Sequence, residues 1–298
     1  MQSGILLVDK PEGPSSAQIV HKVKAVLAAK KVGHLGTLDP FASGLLLLGI
    51  NEGTKIADIF LNASKTYRGV MTLGVETDSQ DFTGNVLQVR TVPSVSNEAL
   101  KGLQKAFTGE IQQMPPMFSA LKKDGVRLYR LARQGRTVPR QPRSVRIEQL
   151  RLWKSAEAEI EFEVTCSRGT YVRTLAADMG SFLGCGAHLK GLRRLGCGHL
   201  TLDRAIPFAE IERLAARQAV PLASLNEALK HIRAITWDNR LLARLRLGQQ
   251  EVLGQLGTPN AGEWLVRILD SQQRLTALSE WREDLPGGRW CLFRVFRE

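Results

Sequence analysis

Apolar residues in this chain switch period repeatedly, and that switching constrains the fold more than any single motif does. Runs of period two read as strands, and runs of period three to four read as helices. Gly4–Asp9 reads as a short buried strand, stopped by Lys10-Pro11-Glu12-Gly13-Pro14. Ser15 or Ser16 caps a helix from Ala17 to about Lys31, in which Ile19, Val20, Val23 and Val26 share a face. A Gly- and Pro-rich loop, Val32–Gly44, leads into the apolar strand Leu45–Ile50, followed by a helix at about Thr54–Asn62. Tyr67–Val75 alternates as a strand, Asn85–Arg90 reads as its partner, and Thr77–Gly84 is the turn between them. Asn97–Phe107 is an amphipathic helix. Ser144–Lys154 and Ala158–Ser167 alternate as two further strands. Tyr171–Leu183 is a helix with Gly184 as its stop, His188–Leu202 holds a strand and a turn, and Phe208–Arg217 is helical. Near Asp238 the character changes, and Leu241–Glu298, rich in turns and short apolar runs, suggests a small β domain.

Charge adds a direction to this pattern. The net charge is +12, and Lys122–Lys154 alone holds eleven Lys or Arg against two acids, Asp124 and Glu148. The remainder carries 30 basic and 27 acidic residues, so the excess is confined to about a tenth of the chain, an electrostatic footprint for a polyanion. Within Gln113–Arg143, Met114-Pro115-Pro116 interrupts the regular pattern, and Pro139 and Pro142 close the segment. A short helix over about Val126–Gln134 places Arg127, Arg130 and Arg133 near one face. The segment reads as an extended basic arm, mobile without its ligand. No apolar run approaches the ~18 residues of a membrane span. The N-terminus lacks the basic start and long apolar core of a signal peptide, so the cytoplasm is the expected location. Cys166, Cys185, Cys197 and Cys291 form no C-x-x-C pair, which argues against a zinc knuckle and a disulfide framework, and no metal site is expected.

Five segments, in order from about residue 4 to 205, together resemble the TruB family, the pseudouridine synthases acting on uridine 55 in the T loop of tRNA. Gly33-His34-Leu35-Gly36-Thr37-Leu38-Asp39-Pro40-Phe41-Ala42-Ser43-Gly44-Leu45 resembles that family's nucleophile loop. Lys65-Thr66-Tyr67 is similar to its second motif, and Cys166-Ser167-Arg168-Gly169-Thr170-Tyr171-Val172-Arg173 to its third. Leu7-Val8-Asp9-Lys10-Pro11 and Gly186-Ala187-His188-Leu189-Lys190-Gly191-Leu192-Arg193-Arg194-Leu195 also fit. Relatives acting on ribosomal RNA typically carry Arg where Thr37 stands, and often an extra N-terminal RNA-binding domain. Guide-RNA-dependent relatives generally lack the arm at about 118–143.

The resemblance implies an α+β pseudouridine-synthase fold, with a mixed, mostly antiparallel central sheet flanked by helices. It implies a catalytic domain over 1–236 and, more weakly, on Leu247-Gly248-Gln249 and the strand pattern, a PUA-like β-barrel RNA-binding domain over 237–298. It also implies the site. Asp39 is the nucleophile, Arg173 pairs with it and keeps it ionised, and Tyr67 stacks on the uracil and assists proton transfer. Tyr171 and Leu192 contact the flipped nucleotide, and His34 helps to fill the space that the base leaves. Lys10 supports the loop or a phosphate. Lys122, Lys123, Arg127, Arg130, Arg133 and Arg136 meet phosphates of the T stem-loop, with Phe118 and Tyr129 packing the arm or stacking on bases. Asp81 lies in a turn near the site. Isomerisation of uridine calls for no redox cofactor, ATP or metal, and a stand-alone monomer without an obligate protein partner is expected. Two other readings compete: a non-catalytic tRNA-binding or folding factor, and a guide-RNA-dependent synthase subunit.

Overall fold

The computed structural model of this 298-residue chain describes residues 2–285 and 287–296. Met1 and Glu298, the outer bounds of the two expected domains, lie outside the described residues, as do Pro286 and Arg297.

Strand β1 (Gly4–Lys10) leads into helix α1 (Ser16–Val26), whose N-cap is Ser15. Ser15 and Gln18 cap one another reciprocally, which satisfies backbone donors that the helix start leaves open. The helix stops well short of Lys31. Ala28 takes a left-handed φ of +46° as the chain turns inward to bury Leu27 and Ala29. Inside the expected loop lies a short strand, β2 (Val32–His34), before β3 (Ser43–Ile50). A 3-10 turn joins β3 to α2 (Ala57–Asn62), and β4 (Lys65–Leu73) follows. Gly74, at φ +81°, ends β4. For that reason β6 (Val86–Val89) pairs with the separate strand β5 (Val75–Thr77), so Asn85–Arg90 is not the partner of Tyr67–Val75.

Helix α3 (Asn97–Phe107) and strand β7 (Gly109–Gln113) precede the basic segment. That segment holds the small hairpin β8 (Lys122–Lys123) and β9 (Val126–Arg127), then α4 (Leu128–Ala132). It is folded rather than extended. Met117, Leu128 and Leu131 form their own apolar cluster with Leu121, Ala132 and Val138. Because α4 is a single short helix, Arg127 and Arg133 cap its two ends instead of sharing its face with Arg130.

The long strands β10 (Arg143–Ala156) and β11 (Glu159–Cys166) are followed by α5 (Val172–Phe182), β12 (Ala187–Cys197), β13 (Leu200–Thr201) and β14 (Ile206–Pro207). Helices α6 (Ile211–Ala216) and α7 (Leu225–Ala228) come next. The tail comprises β15 (Ala234–Thr236), α8 (Asn239–Arg246), β16 (Leu265–Leu269), β17 (Leu275–Arg282) and β18 (Arg289–Val295).

The main sheet runs β14-β1-β3-β12-β4-β11-β10-β7, with β2 beside β3 and β13 beside β12. Only the pairs β1/β14 and β3/β12 are parallel, so the sheet is mixed and mostly antiparallel. Alternation along β1 and β3 explains why Leu45–Leu48 is apolar without interruption. Leu6, Val8, Leu46 and Leu48 pack with Ile19 and Val23 of α1. On the opposite face, Ile5, Leu7, Leu45 and Leu47 pack with Leu225, Leu265, Leu269, Leu275 and Leu278.

The tail forms a four-stranded sheet, β15-β16-β17-β18. Among the described residues β15 and β18 do not pair, so the sheet is open and not the closed barrel expected. Both of its faces are already covered. One lies on β1 and β3, and the other, Val266, Ile268 and Ala277, lies beneath Trp237, Leu242, Leu245, Val252 and Leu253. No described helix is long and apolar enough to cross a membrane.

Candidate active site

The loop between β2 and β3 is pinned from three sides. The Ser16 hydroxyl donates to the Leu38 carbonyl at 3.0 Å and accepts from the Leu38 amide at 2.8 Å. Ser16 is therefore a loop anchor, while its neighbour Ser15 caps the helix. From below, the Lys10 ammonium donates to the carbonyls of Pro11, Pro14 and Pro40 at 2.7, 2.8 and 3.2 Å. Lys10 is wholly buried with all three donors used, so of its two expected roles the structure leaves loop support and not phosphate binding. Burial lowers its pKa to about 8, against the opposing pull of Glu12 and Asp39.

On the third side is Arg194, which the motif reading did not place in the site. It is 2% exposed and donates to the carbonyls of Leu45, Thr37 and Gly36 at 2.5, 3.3 and 3.1 Å. Gly44 makes this approach possible. It sits at φ +98°, and a Cβ there would lie 2.3 Å from the Arg194 carbonyl oxygen. The sequence held one signal for Arg194: it stands two residues from Leu192 on one strand, and so faces the same side.

Held this way, Asp39 projects toward the first turn of α5, where Arg173 waits. Gln113 fixes that turn through the Tyr171 amide, at 3.0 Å, and the Tyr171 carbonyl, at 3.3 Å. Arg173 Nε lies 3.0 Å from Asp39 Oδ2, and Arg173 Nη1 lies 3.4 Å from Asp81 Oδ2. Arg173 also donates to the carbonyls of Ser79 at 3.1 Å and Phe118 at 2.9 Å. Asp81 is itself braced. Its Oδ1 accepts from the Ser79 hydroxyl at 2.7 Å and the Thr83 amide at 3.0 Å. The turn that carries Asp81 thus orients the arginine, and the arginine orients Asp39.

Tyr67 stands on β4 opposite Arg194 of β12, and Leu192 lies opposite Gly69. Asp39, Tyr67, Arg173, Tyr171 and Leu192 line one cleft with Thr37 and Thr170, about 130 Å³ in volume. An apolar cavity of ~150 Å³ holds benzene, so the size suits one six-membered ring. Burial pushes the Tyr67 hydroxyl up to about 12, with Arg194 partly opposing, so it is neutral at physiological pH. Burial also raises the Tyr171 hydroxyl.

The structure does not bring every expected residue into the cleft. His34 is exposed on β2, opposite Leu48, and outside the lining. Partial desolvation, helped by the Arg194 charge, lowers its pKa, which favours the neutral imidazole. Lys122, Arg127, Arg130, Arg133 and Arg136 are exposed on the basic segment, and Lys123 is half-buried, donating to the Pro139 carbonyl at 3.1 Å. None of the six pairs with a carboxylate among the described residues. Arg133 lies over the Tyr129 ring at 5.5 Å, so Tyr129 packs the segment. Phe118, through its carbonyl, ties the root of the segment to Arg173.

The Asp39 carboxylate keeps 38% of its side-chain surface open to the cleft. Its pKa is nevertheless raised from 3.8, first by burial and then by Asp81, while Arg173 pulls it back. The guanidinium moderates the cost of ionising Asp39 without cancelling it. A reaction that needs the anion should therefore slow as pH falls, with a midpoint above 3.8, in single-turnover rates measured against pH. Stability should move the other way. The folded state holds this proton more tightly than the unfolded chain, so the contribution is present below 3.8 and lost as pH rises through the raised value.

Comparison with known proteins covers most of the chain. The model of the TruB family pseudouridylate synthase N-terminal domain matches residues 24–172. That of the tRNA pseudouridylate synthase B C-terminal domain matches residues 173–234. A tRNA pseudouridine synthase B of Burkholderia mallei (strain NCTC 10247) is 44% identical over 283 residues, covering 94% of this chain and 93% of that one. One of Geobacter sulfurreducens is 44% identical over 247 residues, 82% of this chain and 81% of the relative. Among solved structures, a chain of a Cbf5-Nop10-Gar1 complex superposes with a TM-score of 0.72 at 24% identity, covering 99% of this chain and 85% of that one. That likeness speaks for the fold alone.

Proposed function

This chain belongs to the TruB family of pseudouridylate synthases and is an enzyme that forms pseudouridine in tRNA; we propose that its target is uridine 55 of the T loop and that Asp39 is the nucleophile. One observation carries the assignment of the site. Asp39, Tyr67 and Arg173, far apart in sequence, converge on a cleft the size of one pyrimidine ring. In the reaction, the bond from the sugar C1′ to N1 breaks and one from C1′ to C5 forms. The C5 hydrogen leaves as a proton and N1 gains one, so atoms and electrons balance without an external oxidant, reductant or energy source.

The residues divide this work. Asp39 supplies the carboxylate, and Arg173 aims it. The Tyr67 ring lies where a uracil can stack, and its hydroxyl, being neutral, meets the rotated base as a hydrogen-bonding group. Tyr171 and Leu192 close the remaining walls. A uridine stacked inside a folded loop must first be extracted, at a cost of a few kcal/mol. His34, exposed beside the nucleophile loop, fills the space left behind.

Grip on the RNA comes from the basic segment at 118–143, in a catalytic domain spanning 1–236. The open sheet of the tail, the 237–298 unit together with β15, supplies a second RNA contact of PUA-like kind. A chain with its own grip acts as a monomer without an obligate protein partner, in the cytoplasm where tRNA is processed. Replacing both Arg130 and Arg133 by Gln should reduce the slope of log affinity against log salt by about 1.4 to 1.8, since each phosphate contact contributes about 0.7 to 0.9. Filter binding across a salt series measures this, and an unchanged slope would remove these arginines from the interface. The activity itself is tested by release of tritium from 5-tritiated uridine in an unmodified tRNA transcript, with no cofactor added.

A further inference from the structure

Phe82 is the residue that the site described so far does not use. It follows Asp81, the brace of Arg173, and is 51% exposed. Its amide donates to the Leu189 carbonyl at 3.0 Å, which anchors the backbone to β12. Its ring meets that of Phe41, two residues beyond Asp39, edge to face, with centroids 5.7 Å apart and planes at 86°. In that geometry Phe41 covers at most one face of Phe82, and half of the residue stays exposed. The turn itself does not need an aromatic residue here. Asp81, Ser79, Thr83 and Asp78 close it by hydrogen bonds.

We propose that Phe82 is a second stacking surface of the RNA site, taking the face of an unpaired base of the substrate next to the flipped uridine. Flipping a base strips its neighbours of a stacking partner, and an open aromatic ring backed by the nucleophile loop is the complement such a neighbour lacks. Phe41 lies behind Phe82, is 8% exposed, and holds the ring from the protein side. Tyr67 takes the target base within the cleft, and Phe82 takes a neighbour outside it. This inference rests on the tRNA reading above.

The test compares Phe82→Leu with Phe82→Trp, each alone and with Asp39→Asn. Leucine keeps apolar contact with Phe41 but has no π face, whereas tryptophan has a larger one. Phe82→Leu should weaken binding of an unmodified tRNA transcript by about 5- to 150-fold, the range for one base–aromatic stack, and Phe82→Trp should not. The loss should appear in KM more than in kcat, with the melting temperature unchanged. A transcript carrying 2-aminopurine beside the target should be quenched by the Asp39→Asn protein and not by the double variant with Phe82→Leu. Wild-type affinity and quenching in the leucine variants would overturn the inference while leaving the activity assignment intact. If the unsubstituted enzyme makes no pseudouridine, the parent reading fails instead.

Discussion

Asp39→Asn should leave less than about one part in ten thousand of the wild-type rate, because removing the proposed nucleophile from a site that acts as a unit costs factors of this size or more. Tritium release from C5 of labelled tRNA reads that loss. Affinity for the transcript should remain within a few-fold of wild type, since Asn keeps the shape of Asp and the basic segment is untouched. The fold should not weaken either. Burial makes the Asp39 charge unfavourable, so a neutral amide removes a cost that the native protein bears above its raised pKa. The expected profile is a dead, tightly binding protein that melts at or above the wild-type temperature at pH 7. The advantage should close as pH falls toward 3.8, where the wild-type carboxyl is protonated as well. A variant that turns over normally would remove Asp39 from the mechanism.

Arg173→Met should do what Asp39→Asn does not, and destabilise the protein. Arg173 is 7% exposed on its side chain, and among the described residues no second cation pairs with Asp81, which is 4% exposed. Removing one partner of a buried pair typically costs about 3–5 kcal/mol. Asp39 contributes less of this than Asp81, because it keeps 38% of its side-chain surface exposed against 4% for Asp81. For a chain of this size each kcal/mol lowers the melting temperature by roughly 2–4 °C, so the drop should be at least about 6 °C, with turnover lost as well. Arg173→Lys separates charge from geometry. The ammonium restores much of the stability, but one nitrogen cannot reach Asp39, Asp81, Ser79 and Phe118 together, so turnover stays low. Recovery of both properties by lysine would mean that the planar fork has no part in aiming Asp39.

The contrast between Asp39 and its supports shows what was legible in the sequence. Asp39, Tyr67 and Arg173 sit in short linear motifs, which residue type and order along the chain are enough to pick out. Their supports are set by tertiary packing. Lys10 and Arg194 belong to residue types that are mostly exposed, yet both are buried among carbonyls, and local sequence does not announce this. Ser16 looked like a helix cap because Ser15 and Ser16 are equivalent until the loop at Leu38 arrives beside one of them.

The fold divides in the same way. Leu45–Ile50 and Asn97–Phe107 were readable because each carries a clean apolar pattern. The basic segment was not, because Met117, Leu121, Leu128, Leu131 and Val138 share no period and meet only once the segment folds on itself. The β6 pairing failed at Gly74, where one positive φ turns the strand out of the main sheet. In the tail, short strands resemble a barrel in sequence, but whether a sheet closes depends on what covers its faces.

If this cleft acts on tRNA as proposed, it converts one uridine of the T loop. Nucleotide-resolution mapping of pseudouridine tests it most directly, using an unmodified tRNA transcript incubated with the purified wild-type protein and, in parallel, with Asp39→Asn. A single new pseudouridine, at position 55, is expected with the wild-type protein and none with the variant. Modification elsewhere in the tRNA, or at position 55 by the variant as well, would contradict it.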